Sequence, residues 1–96
     1  MVPENSVRTV VVGEQFSIYQ QALPGAGYMW EISQPPEGLE VISQDVVSIS
    51  KAIGGYSVQR FVIAAHKTGE FSLVFELKRR WEKQSAQAEI FTIHVT

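Results

Sequence analysis

The sequence predicts an all-β fold, a sandwich of two packed sheets built from 7–8 short strands. Three observations lead there. Apolar and polar residues alternate with a period of two through most of the chain, as in "FSLVFEL" at residues 71–77, and that period marks half-buried strands. Turn signals recur at intervals of about 8–12 residues, the spacing of small sandwiches. No window of roughly ten or more residues keeps helical spacing. The nearest, "RRWEKQSAQAE" (Arg79 to Glu89), has good helix formers but no apolar stripe.

Each element follows from its pattern. Val7 to Val12 is a β-branched run ended by Gly13-Glu14. In "QFSIYQ", Phe16 and Ile18 share one face and Ser17 and Tyr19 the other. Tyr28, Trp30 and Ile32 share the next inward face, with Met29 and Glu31 pointing away. "SQPPEG" (33–38) breaks the pattern, because two prolines forbid a central strand. Leu39 to Ser43 and Val46 to Lys51 read as two separate short strands. Ile53-Gly54-Gly55 interrupts again, and Ser57 to Ala65 resumes with Phe61 and Ile63 inward. After the turn "HKTGE", Phe71, Leu73, Phe75 and Leu77 face one way. "KRRWEKQSAQ" reads as a polar hairpin tip, and "AEIFTIHV" closes the chain with Phe91, Ile93 and Val95 inward. Trp30 takes the place of a core tryptophan on the third strand, although the Cys…Trp…Cys spacing of antibody domains is absent. The expected fold is an immunoglobulin-like β-sandwich; pattern alone leaves a small closed barrel open.

Composition narrows the function. The 96 residues suit one domain spanning 1–96. With 45% hydrophobic and 19% charged residues the chain is too apolar for disorder. A net charge of −2 argues against a nucleic-acid binder. No apolar run approaches the roughly 18 residues that would span a bilayer. There is no cysteine, hence no disulfide framework and no thiol nucleophile. "MVPENSVRT" lacks the basic and apolar regions of a signal peptide, and a secreted or periplasmic location after processing stays open. No internal repeat or low-complexity tract is present.

Catalytic chemistry is poorly supplied. His66 lies in a turn and His94 on the outward face of the last strand, whereas a metal site needs three or four converging ligands. No G-x-S-x-G elbow occurs, and Asp45 is the sole aspartate. Glu37 and Glu40 read as a solvated edge beside a turn. Gly25-Ala26-Gly27 opens into a strand rather than a helix and lacks the further glycine of a phosphate-binding loop. Neither enzyme activity nor a cofactor is expected; a hydrolase would need turnover that depends on His66 or His94.

Three connections remain. Leu23 to Gly27 joins the second and third strands, Lys51 to Gly55 the fifth and sixth on the count above, and Lys78 to Lys83 the last two. They share one end of the sandwich if one short strand within 39–51 crosses between sheets. Each alone reads as a plain turn, and Lys78-Arg79-Arg80 with Lys83 reads equally as a charged tip that discourages edge pairing. Together, two glycine-bearing tips beside one carrying a tryptophan and arginines make a protein-binding edge.

At these loops the sequence resembles the chagasin-like inhibitors of papain-type cysteine peptidases. Their pattern is an Asn-Pro-Thr-Thr-Gly loop running into aromatic-x-Trp, then Gly-x-Gly-Gly, then Arg-Pro-Trp. It is met in order at Pro24, Gly27, Tyr28 and Trp30, at Gly54 and Gly55 of "AIGG", and at Arg79 and Trp81 of "RRW". Leu23 stands where the family has Asn, Gly25-Ala26 replace Thr-Thr, Ala52 replaces the first Gly, and Arg80 the Pro. The resemblance implies a peptidase-binding edge made of Leu23, Pro24, Gly25, Ala26 and Gly27, of Ile53, Gly54 and Gly55, and of Arg79, Arg80 and Trp81. The first loop would lie over the catalytic cysteine while the other two grip the cleft, giving reversible, non-covalent inhibition. The implied partner is a papain-like cysteine peptidase, with no nucleic acid and no membrane, and a monomer is expected when free. The alternative is an immunoglobulin-like recognition module without peptidase inhibition.

Overall fold

The computed structural model describes residues 4–22, 27–49, 57–79 and 81–96. They form seven strands: β1 (Glu4–Val10), β2 (Gln15–Ala22), β3 (Tyr28–Ile32), β4 (Leu39–Ile49), β5 (Ser57–Ala65), β6 (Gly69–Arg79) and β7 (Gln87–Val95). One sheet has the order β1-β7-β6-β3 and the other β2-β5-β4. Neighbours are antiparallel except β1 and β7, which run parallel with Glu4 opposite Glu89 and Val10 opposite Val95. Among the described residues no helix is long and apolar enough to cross a membrane. The architecture is the expected two-sheet sandwich.

The core is the sum of the inward stripes. Ile18, Phe61, Ile63, Leu73, Phe75 and Ile93 are fully buried, and Trp30 nearly so. Phe75 sits between Phe61 and Phe91 in two edge-to-face contacts, with centroids 5.0 and 5.2 Å away. Such pairs add to the hydrophobic gain from area alone. Phe71, Phe91 and Leu77 pack against the margin of this cluster.

The stretch 39–51 departs from the expectation of two strands. Residues 39–49 form one long strand, β4, with register shifts between Val41 and Ser43 and between Val46 and Ser48. Ile42 and Val47 are the extra residues at these bulges, and both are exposed. A bulge resets the inside–outside alternation, so a continuous strand looks like two. With β4 counted once, the connection containing 51–55 joins β4 to β5, and among the described residues no strand crosses between sheets. β6 also extends two residues beyond "FSLVFEL", so Lys78 and Arg79 belong to the strand and not to the hairpin tip.

Candidate functional site

Simple up-and-down alternation brings three connections to one pole. In the smaller sheet Ala22 pairs with Ser57 and Ser57 with Ile49, so the roots of the β2–β3 and β4–β5 connections are level. In the larger sheet Tyr28 pairs with Arg79, and Leu77 with Gln87, which sets the root of the β6–β7 hairpin beside them. Trp30 joins the sheets at this pole. Its indole Nε1–H donates to the Gln21 carbonyl at 2.8 Å. Its backbone N–H donates to Gln59 Oε1 at 2.8 Å, and Gln59 Nε2 donates back to the Trp30 carbonyl at 3.0 Å.

Two of the tips touch. The stripe of β6 that runs Phe71, Leu73, Phe75 and Leu77 reaches Arg79, half-buried at the strand's end. Its guanidinium lies 4.6 Å from the Tyr28 ring centroid and 5.9 Å from that of Trp81. Glu82 Oε1 holds its Nη1 at 3.3 Å, and the Glu82 N–H donates to the Arg79 carbonyl at 3.1 Å. Cation–π contacts of this partly solvated kind contribute about 0.5–1 kcal/mol each. Trp81 remains 70% exposed, the most exposed large apolar side chain among the described residues. Gly27, with φ of 84°, lies against its indole. The edge therefore pairs bare backbone with a large, unburied aromatic ring.

Of the expected binding residues, Gly27, Arg79 and Trp81 are brought together. Leu23, Pro24, Gly25, Ala26, Ile53, Gly54, Gly55 and Arg80 lie outside the described residues. The sequence reading passed over Tyr28 as a stacking partner, Glu82 as the brace on Arg79, and Gln59. Gln59 carried a signal: it is a polar residue at an inward position of the stripe Ser57, Gln59, Phe61, Ile63.

The histidines sit at the other pole. His66 Nε2 lies 2.7 Å from Glu40 Oε1, and His94 Nδ1 3.4 Å from Glu70 Oε2. Lys67 pairs there with Glu37 at 2.6 Å. Among the described residues no three metal-ligating side chains converge.

A sequence model described as chagasin family peptidase inhibitor I42 matches residues 9–95. The chain belongs to the chagasin family. Its role is accordingly that of a peptidase inhibitor rather than an enzyme. Solved structures of similar fold include the cysteine protease inhibitor EhICP2 of Entamoeba histolytica, with TM-score 0.80 and 15% identity over 97% of this chain and 88% of that one. Amebosin has TM-score 0.75 and 22% identity, covering 99% of this chain and 100% of its own. PbICP-C, solved in complex with falcipain-2, has TM-score 0.71 and 21% identity, covering 99% and 90%. No curated protein sequence matches significantly. At these identities the structures speak for the chagasin-type sandwich, and the family match speaks for inhibition.

Proposed function

We propose that this chain inhibits papain-like cysteine peptidases reversibly and without a covalent bond, by seating the pole that carries Gly27, Arg79 and Trp81 in the active-site cleft. The observation that carries the reading is the contact between a side-chain-free glycine and an exposed, braced tryptophan on adjoining tips. Thin backbone can enter a narrow groove, and a large ring beside it can bury against the groove wall. The stack of Tyr28, Arg79 and Trp81 holds that ring before any partner arrives, which lowers the ordering cost of association. Two similar folds point the same way: EhICP2 is a cysteine protease inhibitor, and PbICP-C was captured on falcipain-2. Leu23 to Ala26, Ile53 to Gly55 and Arg80 complete the proposed edge.

Titration of active-site-calibrated papain or cathepsin L with the purified protein tests this. A stoichiometric loss of activity is expected, with recovery on dilution and the inhibitor intact by mass spectrometry. Full peptidase activity at micromolar protein would overturn the proposal and favour a recognition module of the same fold.

A further inference from the structure

We infer that Gln59 is a positioning residue for the peptidase-binding edge: its carboxamide, reaching across from β5, clamps the backbone of β3 and so fixes the root of the first loop against the root of the second. The inference rests on the function proposed above for that pole.

The geometry is specific. β3 is the outer strand of its sheet, with β6 on one side only. The N–H and C=O of Trp30 are both taken by one side chain, at 2.8 and 3.0 Å, in the donor–acceptor pattern that a neighbouring strand would supply. Gln59 is only 6% exposed and belongs to the opposite sheet. It follows Ser57, the first residue of β5, by two positions, and Trp30 follows Tyr28, the first of β3, by two. One carboxamide thus spans the starts of the strands that leave two different connections. An apolar side chain would fill the same core volume, but it would leave the Trp30 N–H and C=O buried and unpaired. Hydrophobic packing does not account for a glutamine here; holding a backbone at a set distance does. Trp30 stands two residues along β3 from Tyr28, whose ring stacks on Arg79, so displacement of β3 reaches the third tip as well.

The test compares variants of the full chain. Gln59→Met removes both hydrogen bonds at similar volume. Gln59→Glu, assayed at acid pH where a buried carboxyl is protonated, keeps one acceptor and one donor. Gly38→Ala at the far pole serves as a control that lowers thermal stability without touching the edge. With all variants shown folded at the assay temperature, Gln59→Met should weaken inhibition about tenfold or more through faster dissociation. Gln59→Glu should stay near wild type, and the control should inhibit as wild type despite its lower Tm. Wild-type potency in Gln59→Met overturns the inference, as does an equal loss in Gly38→Ala. Should Gln59→Met fail to fold, Gln59→Glu decides: a tenfold loss at acid pH overturns the clamp. Should wild type itself fail to inhibit, the proposed function falls, and amide exchange in the free protein decides the clamp. Faster exchange at Trp30, Tyr28 and Gly27 in Gln59→Met than in Gly38→Ala upholds it, and unchanged exchange there overturns it.

Discussion

The Trp81 indole rests on the bare backbone of Gly27: a Cβ placed there would come 3.1 Å from Cη2 and 3.7 Å from Cζ3 of the ring. Two tips far apart in sequence therefore share one surface, and each sets the position of the other. Gly27 also has φ of 84°, a conformation that side-chain-bearing residues rarely adopt. Gly27→Ala is expected to lower stability by roughly 1–3 kcal/mol and to push the indole off its seat. Denaturant melts would show the first effect, and a changed Trp81 fluorescence in the folded state the second.

Trp81→Ala separates binding from folding. With 70% of its surface in solvent, Trp81 contributes little to the core. The melting temperature should stay within a few degrees of wild type. Peptidase affinity should fall by about 2–4 kcal/mol, the usual cost of truncating a buried aromatic anchor. A wild-type inhibition constant for this variant would remove Trp81 from the interface.

Ala26→Thr restores one of the two hydroxyls by which this chain departs from the family pattern. A net hydrogen bond is worth about 0.5–1.5 kcal/mol. If the peptidase offers a partner, inhibition should tighten by roughly threefold to tenfold. An unchanged constant in the same assay would mean that no such partner exists.

Gly38→Ala should do the reverse of Trp81→Ala. Its Cβ would stand 2.7 Å from Cε1 and Cζ of Phe71, with φ of 108°. Phe71 is partly buried and packs against the core, so its ring or the backbone must shift to admit the methyl group. A loss of roughly 1–3 kcal/mol in chemical denaturation is expected. Inhibition per folded molecule should not change, because this site lies at the pole away from the three connections.

Lys78 and Glu31 meet at 2.8 Å on the outer face beside the edge. The hydrogen bond to Glu31, aided by the carboxylates of Glu31 and Glu76 and opposed by desolvation, raises the lysine pKa above its ordinary value. A raised lysine pKa stabilises the fold wherever the ammonium is charged in both states. The contribution is complete below about pH 10.4 and disappears as pH climbs through the higher folded-state value. Lys78→Met should therefore melt below wild type at neutral pH, and on the alkaline side the gap should close only in strong alkali. A gap that already closes near neutrality would show that Glu31 is not its source.

Much of the fold was legible because alternation is a direct image of burial. Residues 57–65 and 28–32 read as strands and are β5 and β3, and the stripe from Phe71 to Leu77 is the centre of β6. β4 was misread where Ile42 and Val47 interrupt the period: a pattern of two has no means of showing an inserted residue except as an end. The shared end of the connections was expected on condition that a short strand within 39–51 crossed between sheets; it arises instead because β4 is a single strand. Tyr28 and Glu82 were invisible as braces because a stack around a guanidinium depends on side-chain direction, not on spacing. Gln59 is a polar residue at an inward position and could have been noticed as such, but its partner is backbone, which a sequence never marks.

The parallel pairing of β1 with β7 settles where attachments to this molecule can go. Glu4 opens β1 at the level of Glu89, near the start of β7 and the hairpin that bears Trp81, whereas Val95 ends β7 beside Val10 at the distant pole. Thr96 is held there by backbone hydrogen bonds of 2.9 Å with Val10 and Val12. If the peptidase seats on the pole proposed above, a label, surface tether or fusion partner joined beyond Thr96 would hang clear of it, while the same cargo placed ahead of Glu4 would crowd its approach.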